Sequence, residues 1–134
     1  MESQECKRLN EFDVARLQGA WEIVHSETSG KLNTKIVGLI NIFEDCNCWW
    51  TFKDIESDIF QYAIDASQMP KQVDFISPEG VTTGIYKFLD GDMLFICSHD
   101  GSNRPTDFVT SSESHWGLSV CRKLPQIPIR KRKP

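Results

Sequence analysis

The sequence lacks any long hydrophobic run and any segment that looks like a leader. In 134 residues no apolar stretch approaches the roughly 20 needed to cross a bilayer, so we expect no membrane partner. The polar start, Met1 to Arg8, has neither the apolar core nor the small-residue cleavage site of a secretory signal. These absences predict a cytoplasmic location.

Cysteine and histidine are few and scattered, which disfavours disulfide and metal chemistry. The odd number of cysteines leaves at least one unpaired and favours a reducing compartment: Cys6, Cys46, Cys48, Cys97 and Cys121. The lone Cys46-Asn47-Cys48 has no matching second pair, whereas a tetrahedral zinc site needs about four ligands. No zinc-hydrolase spacing joins His25, His99 and His115, and no glycine-rich phosphate loop occurs. We predict no metal and no cofactor.

Lys and Arg residues are also scarce, except at the end of the chain. Four of the 15 Lys and Arg are residues 130–133, so residues 1–129 carry 11 cations against 19 acidic side chains. Because nucleic-acid binding needs clustered positive charge on the fold itself, no specific nucleic-acid partner is expected. The basic segment 125–134 is predicted to be a disordered tail.

Alternation of apolar and polar residues begins at Leu17 and predicts strands with one buried face. Asp90-Gly91 between two apolar runs indicates a type I′ hairpin. Residues 1–16 read as an adapter segment with one short helical turn after Asn10, a candidate N-cap. The predicted strands are Leu17–Ser26, Gly38–Glu44, Cys48–Lys53, Ile59–Asp65, Gln72–Ser77, Thr83–Leu89, Met93–Ser98 and His115–Lys123.

Gly19 and Trp21 on the first predicted strand, with Arg122 on the last, suggest how the sheet closes. If the terminal strands pair, the guanidinium of Arg122 can cover the Trp21 indole as a cation–π contact worth about 0.5 to 2 kcal/mol. We therefore predict an all-β fold, an eight-stranded antiparallel up-and-down barrel over residues 17–124. A two-sheet sandwich is the alternative.

Several motifs in this order resemble a known family. The Gly19-x-Trp21 start and terminal Arg122 resemble the lipocalins and the wider calycin group. A longer set, over about residues 17–123, is similar to an uncharacterised lipocalin-like bacterial domain abundant in planctomycetes: Leu17-Gln18-Gly19-Ala20-Trp21, Gly84-Ile85-Tyr86, Asp90-Gly91-Asp92, Arg104-Pro105-Thr106-Asp107-Phe108 and Arg122-Lys123. The resemblance implies a barrel that commonly holds a small apolar ligand.

Aromatic residues on the predicted strands are the candidate ligand-binding side chains. If they face the lumen, they either line a pocket for a planar or apolar ligand or fill the barrel, and the sequence leaves both open. Arg104, in the long polar connection, can bind an anion or hold loop carbonyls. The candidate set is Trp50, Tyr62, Tyr86, Phe88 and Arg104.

Three functions remain open at this stage. The first is a non-enzymatic binding or sensing barrel for a small apolar or aromatic ligand. The second is a regulatory module with a solid barrel that docks a partner protein, for which one of the adjacent Trp49 and Trp50 must face outwards and offer an apolar patch. The third is a hydrolase or isomerase built on His99, Asp100 and Arg104. No catalytic set is convincing, and we predict that the protein is not an enzyme.

Overall fold

The structure, a computed structural model, describes residues 4–101 and 103–131, with side chains from residue 8 onward. Helix α1 spans Gln4–Leu17, and a short 3-10 helix spans Thr34–Ile36. The strands are β1 Gly19–Thr28, β2 Lys31–Leu32, β3 Ile40–Glu44, β4 Asn47–Phe52, β5 Ile55–Glu56, β6 Phe60–Asp65, β7 Lys71–Ser77, β8 Gly80–Leu89, β9 Met93–His99 and β10 Gly117–Lys123.

Eight of these strands form one closed antiparallel barrel in the order β10-β9-β8-β7-β6-β4-β3-β1, and β1 pairs with β10 to complete the ring. The two-residue strands β2 and β5 pair with β1 and β4 outside that ring. The predicted eight-stranded up-and-down barrel is confirmed, and the sandwich is wrong. Closure leaves no long unpaired edge on the barrel strands, which removes a common cause of aggregation.

The hairpin between β8 and β9 is also confirmed. Asp90 and Gly91 both adopt a left-handed backbone, with φ of 54° and 73°, as the predicted turn requires. Leu89 pairs with Met93, so Asp92 also lies in the connection. The chain therefore reverses between the two strand ends that the sequence indicated, Leu89 and Met93.

Helix α1 is longer than the single turn that was predicted. It spans 14 residues, and Asn10 lies inside it rather than at its N-cap. The Asn10 Oδ1 accepts a hydrogen bond of 2.7 Å from the backbone N–H of Ala66. The helix has a weak sequence signal because it is held to the barrel largely by polar contacts rather than by an apolar stripe. We call the barrel end that it covers the closed end.

Inward-facing side chains fill the middle of the barrel. Buried residues from β1, β3, β6, β8 and β9 pack there in one cluster, which includes Trp21, Phe43, Tyr62, Tyr86 and Leu94. Phe43 and Tyr62 meet edge to face, with ring centroids 5.1 Å apart. This filled layer extends to the closed end and stops short of the opposite end of the lumen, which we call the open end.

Two irregular segments cover the outer face of the barrel. After β9, the chain places Phe108 and Trp116 against the outward-facing Ile85, Cys97 and Leu118. Pro105 in the same segment is among the fully buried residues. This connection is therefore an ordered covering of β8, β9 and β10 rather than a loop over the barrel mouth.

The other covering segment is the one that was predicted to be a disordered tail. Its Arg130 guanidinium lies 4.8 Å from the ring centroid of Trp49 and donates a hydrogen bond to the Ser57 carbonyl. The backbone N–H of Lys131 donates to Glu56 Oε2 at 2.7 Å. Residues 130 and 131 are thus packed against the barrel, while residues 132–134 lie outside the described part of the chain.

These contacts also correct the expectation of an exposed tryptophan. Trp49 does face outwards, but it is only 1 % exposed and packs in a cluster with Ala20, Ile42 and Leu124. Its Nε1–H donates to Glu44 Oε1 at 2.9 Å. The apolar patch predicted at this position is therefore covered by the protein's own C-terminal segment.

Candidate functional site

The closure residues meet as neighbours, but the predicted Trp21–Arg122 contact is wrong. In the β1–β10 register Trp21 lies opposite Lys123, and Arg122 lies opposite Glu22. Arg122 Nη2 accordingly forms an ion pair with Glu22 Oε1 at 2.9 Å on the outer surface. Lys123 Nζ lies 5.2 Å from the Trp21 ring centroid and supplies the cation instead. The two predicted strands do pair, but the register differs by one residue from the predicted one, which places Arg122 on the opposite face of the sheet.

Gly19 and Trp21 fix the floor of the barrel at the closed end. Gly19 has a φ of +119°, and a Cβ there would lie 3.2 Å from Lys123 Cε. A side chain at this position would therefore be strained by its backbone conformation and crowded by the facing strand. Trp21 is 1 % exposed, and its Nε1–H donates to the Leu17 carbonyl at 2.8 Å, which joins the floor to the end of α1.

A cavity of about 420 Å³ occupies the open end of the lumen. We call it the cup. Inward-facing side chains from six barrel strands line it: Asn41, Trp50, Phe60, Phe75, Ser77, Thr82 and Ser98. The volume lies within the range of about 300 to 1,000 Å³ that is usual for small-molecule sites.

Strand pairing brings the members of the cup together. Asn41 lies opposite Trp50, and Phe75 lies opposite Thr82, so these side chains share the inner face. The Phe60 and Phe75 rings meet edge to face at 6.2 Å. One side of the cup is thus aromatic, while Ser77, Thr82 and Ser98 bring hydroxyl groups to it, and none of the lining residues is ionisable.

Of the five predicted ligand residues, only Trp50 lies in the cup. Its backbone N–H is held by Ser57 Oγ at 2.9 Å, which fixes the strand at the point where the indole enters the lumen. Phe60 and Phe75 belong to the aromatic residues on predicted strands but were not in the candidate set, and the polar lining residues were not singled out at all. The only signal for the polar ones was the inward register of small residues at strand ends, as in Phe75-Ile76-Ser77, which is a weak pattern without a known barrel.

Tyr62 belongs to the packed middle layer and not to a ligand pocket. It is 5 % exposed, and its hydroxyl donates to the Asp45 carbonyl at 2.7 Å while accepting from Gln18 Nε2. Burial raises the pKa of this phenol. The Tyr62 hydroxyl therefore holds the β3–β4 turn against the end of α1.

Tyr86 and Phe88 lie at the closed end, away from the cup. The Tyr86 hydroxyl donates to Asp13 Oδ2 at 2.6 Å, and Lys71 Nζ reaches the same oxygen at 2.9 Å. Burial, followed by the bond to Asp13, raises the Tyr86 pKa. The Arg16 guanidinium lies 4.0 Å from the centroid of Phe88. The predicted aromatic set is therefore divided between the two ends of the barrel.

Arg104 holds the covering segment to the outer face. Its Nη1 donates to the carbonyls of Val73 and Gly84 at 3.2 and 2.9 Å. The same nitrogen lies 2.8 Å from Asp74 Oδ1 in an ion pair that lacks hydrogen-bond geometry. Because Nη1 already binds two backbone carbonyls beside Asp74 on the outer face, the ligand role predicted for Arg104 has no support, and its position agrees with the carbonyl-holding alternative.

The three residues considered for catalysis, His99, Asp100 and Arg104, do not form a single site. His99 Nδ1 lies 3.0 Å from the Asn103 carbonyl, whereas Asp100 Oδ1 accepts from Thr82 Oγ1 at 2.9 Å. Arg104 engages β7 and β8 instead. Within residues 4–101 and 103–131, no three His, Cys, Asp or Glu side chains are grouped so that they could hold a metal.

No family model, no curated protein and no solved structure matches this chain. Among the described residues there is also no helix with the length and apolar character that a membrane crossing requires.

The cysteines give a first test of how closely the barrel packs. Burial raises the pKa of Cys97 to about 11 and that of Cys121 to about 12, and it also raises the pKa of Cys48, whereas Cys46 is exposed. A raised pKa leaves less reactive thiolate at a given pH. In a Cys6→Ser background, we expect Cys46 alone to react rapidly with 5,5′-dithiobis(2-nitrobenzoate) at about pH 8.

Mass spectrometry of the labelled peptides provides the readout, and the same reaction in denaturant is the control in which all four remaining thiols should react. Rapid labelling of Cys48 or Cys121 in the native protein would contradict a tightly filled middle layer.

Proposed function

We propose that the protein is a non-enzymatic, cytoplasmic, lipocalin-like binding or sensing module that takes a small neutral ligand with a planar apolar part into the cup. The observation that carries the proposal is the cup itself, a lumen cavity of about 420 Å³ that the packed middle layer leaves open. Aromatic rings beside hydroxyl and amide groups in a concave site are a combination that small-molecule sites use.

The chemistry of the lining specifies the class of ligand. Trp50, Phe60 and Phe75 offer ring surfaces, which favour a planar partner. The Ser98 hydroxyl and the Asn41 amide can both donate and accept hydrogen bonds, whereas the hydroxyls of Ser77 and Thr82 already donate to the Gly80 carbonyl and to Asp100 and can accept. Because burying an unpaired charge is costly, a cup without an ionisable lining residue favours a neutral ligand over an ion.

Membership of the lipocalin-like bacterial family is part of this proposal. It is supported by the ring of eight strands together with Gly19 and Trp21 at the start of β1. Arg122 departs from the family motif because it pairs with Glu22 instead of covering Trp21. This weakens the motif, but the barrel still closes through the β1–β10 ladder.

The proposal is tested with N-phenyl-1-naphthylamine, a neutral aromatic probe whose emission rises in apolar surroundings. We expect saturable binding to the wild-type protein. Thr82→Phe places a ring in the cup and should weaken binding by at least about tenfold, which is roughly 1.4 kcal/mol. Trp50→Ala keeps the space but removes a ring contact, and should cost about 0.5 to 1.5 kcal/mol.

Val81→Phe is the matched control, because Val81 precedes Thr82 on β8, faces outwards and is 49 % exposed. It should bind the probe as the wild type does. If Thr82→Phe folds, as judged by its circular dichroism, and still binds as tightly as Val81→Phe does, the cup is not the ligand site.

Docking of a partner protein is the second candidate, favoured by exposed apolar side chains at the closed end. Phe12 is 63 % exposed and Met69 is 97 % exposed. The open cup argues against the solid barrel that this hypothesis assumed. The docking hypothesis predicts a partner protein whose binding is lost in Phe12→Ser and unchanged in Thr82→Phe. Pull-down experiments with these two variants distinguish partner docking from ligand binding.

A further inference from the structure

A second cavity lies at the closed end, on the far side of the filled layer from the cup. We call it the groove, and its volume is about 830 Å³. It runs between α1, the β6–β7 connection and the end of β8. The lining side chains combine apolar groups with cations, among them Leu9, Arg16, Met69, Lys87, Phe88 and Phe108.

Two of the cations in the groove are held by aromatic rings and not by acids. Arg16 lies 4.0 Å from the Phe88 centroid, and Lys87 Nζ lies 4.5 Å from the Phe108 centroid. In the described part of the chain, the ion pairs involve neither Arg16 nor Lys87. Their positive charges are therefore available to an incoming anion.

The acidic side chains near the groove are already engaged. Asp13 is 2 % exposed and accepts from both Lys71 and Tyr86, so its charge is compensated from within the fold. Asp65 accepts hydrogen bonds from the backbone and the hydroxyl of Ser67. Neither carboxylate is among the residues that line the groove.

We propose that the groove is a second binding site, which takes an apolar carboxylate. The apolar body would lie on Leu9, Met69 and Phe88, and the carboxylate would bind between Arg16 and Lys87. The guanidinium fork of Arg16 matches the two oxygens of a carboxylate. Positive lining is unusual in this chain, since residues 1–129 hold 19 acids against 11 cations.

The net negative charge of the protein also restricts the ligand. A multiply charged anion would be repelled by the acidic surface, whereas a single carboxylate gains the two local cations and the burial of its apolar part. The groove thus differs from the cup, which favours neutral ligands. The two sites are independent, because the packed middle layer lies between them.

The test compares octanoate with 1-octanol, which has the same chain length but no charge. The full-length protein is labelled with ¹⁵N and titrated with each compound while its amide and arginine Nε resonances are followed. We expect octanoate to shift the resonances of Arg16, Lys87 and Phe88 saturably. We expect 1-octanol to leave them largely unchanged, whether or not it enters the cup.

Charge-removing variants then identify the groups that bind the carboxylate. Lys87→Met and Arg16→Met should each weaken octanoate binding on the order of tenfold, as expected for loss of a charged hydrogen-bond partner. Lys53→Met is the matched control, because Lys53 Nζ lies 5.1 Å from the Phe52 ring at the open end. This variant should bind octanoate as the wild type does.

Lys87 is exposed, so its substitution leaves the core intact and tests the site even if Arg16→Met proves unstable. Equal shifts with octanoate and 1-octanol, or octanoate affinity that survives Lys87→Met, would overturn the proposal. So would shifts confined to residues of the cup. The Thr82→Phe variant tests the cup and the Lys87→Met variant tests the groove, so either proposal can fail without the other.

Discussion

Trp21→Ala should lower the free energy of unfolding by about 3 to 5 kcal/mol, the usual cost of removing a large aromatic side chain from a core. Trp21 is 1 % exposed and packs against Phe88 with ring centroids 6.1 Å apart. Its loss also removes the hydrogen bond to the Leu17 carbonyl. Urea unfolding followed by circular dichroism measures the change.

Arg122→Ala is the control that distinguishes an Arg122 that covers the Trp21 indole from one that only pairs with Glu22 on the surface. The side chain of Arg122 is 60 % exposed and pairs with Glu22 on the surface, so its removal should cost about 1 kcal/mol or less. Had Arg122 covered the indole, the loss would be larger and would perturb tryptophan emission. A large loss in Arg122→Ala with a small one in Trp21→Ala would contradict the structure.

The barrel was predictable because its determinants are local. Alternation along β1 and β6 places apolar residues on one face, and Asp90-Gly91 supplies the left-handed turn that joins β8 to β9. Each signal needs only neighbouring residues. Closure followed from the inference that the first and last strands pair, which the β1–β10 ladder confirms.

The length of α1 and the packing of residues 130 and 131 were missed because their determinants are not local. Asn10 and Asp13 are polar, and the residues next to them in the sequence do not indicate which partners they have. Those partners are Ala66, Lys71 and Tyr86. Arg130 likewise lies in a basic run that resembles a solvated end, yet it stacks on Trp49. Contacts between residues some 50 to 80 positions apart leave no trace in a sequence window.

The candidate site was only partly predictable for a related reason. Sequence alternation can assign side chains to the lumen, as it did for Trp50 and Tyr62, but it cannot say where packing leaves space. The cup exists because Ser77, Thr82 and Ser98 are too small to fill the open end. At the other end, Trp21 and Tyr86 leave no comparable space in the lumen, and the groove forms beneath α1 instead.

Asp13→Ala should destabilise the protein by about 2 to 3 kcal/mol, because it leaves the buried Tyr86 hydroxyl without its acceptor. The Asp13 carboxylate is 2 % exposed and joins α1 to β7 and β8 through Lys71 and Tyr86. Lys71 is 37 % exposed on its side chain and can return to water, which limits the cost. Thermal unfolding should show a melting temperature lower by roughly 10 °C.

A double-mutant cycle with Tyr86→Phe isolates the hydrogen bond in this prediction. In the Tyr86→Phe background no hydroxyl is left unpaired, so Asp13→Ala should cost about 1 kcal/mol less than it does in the wild type. The same loss in both backgrounds would mean that Asp13 acts through Lys71 or through the helix alone. Because neither Asp13 nor Lys71 lines the cup, Asp13→Ala should leave the naphthylamine probe bound there.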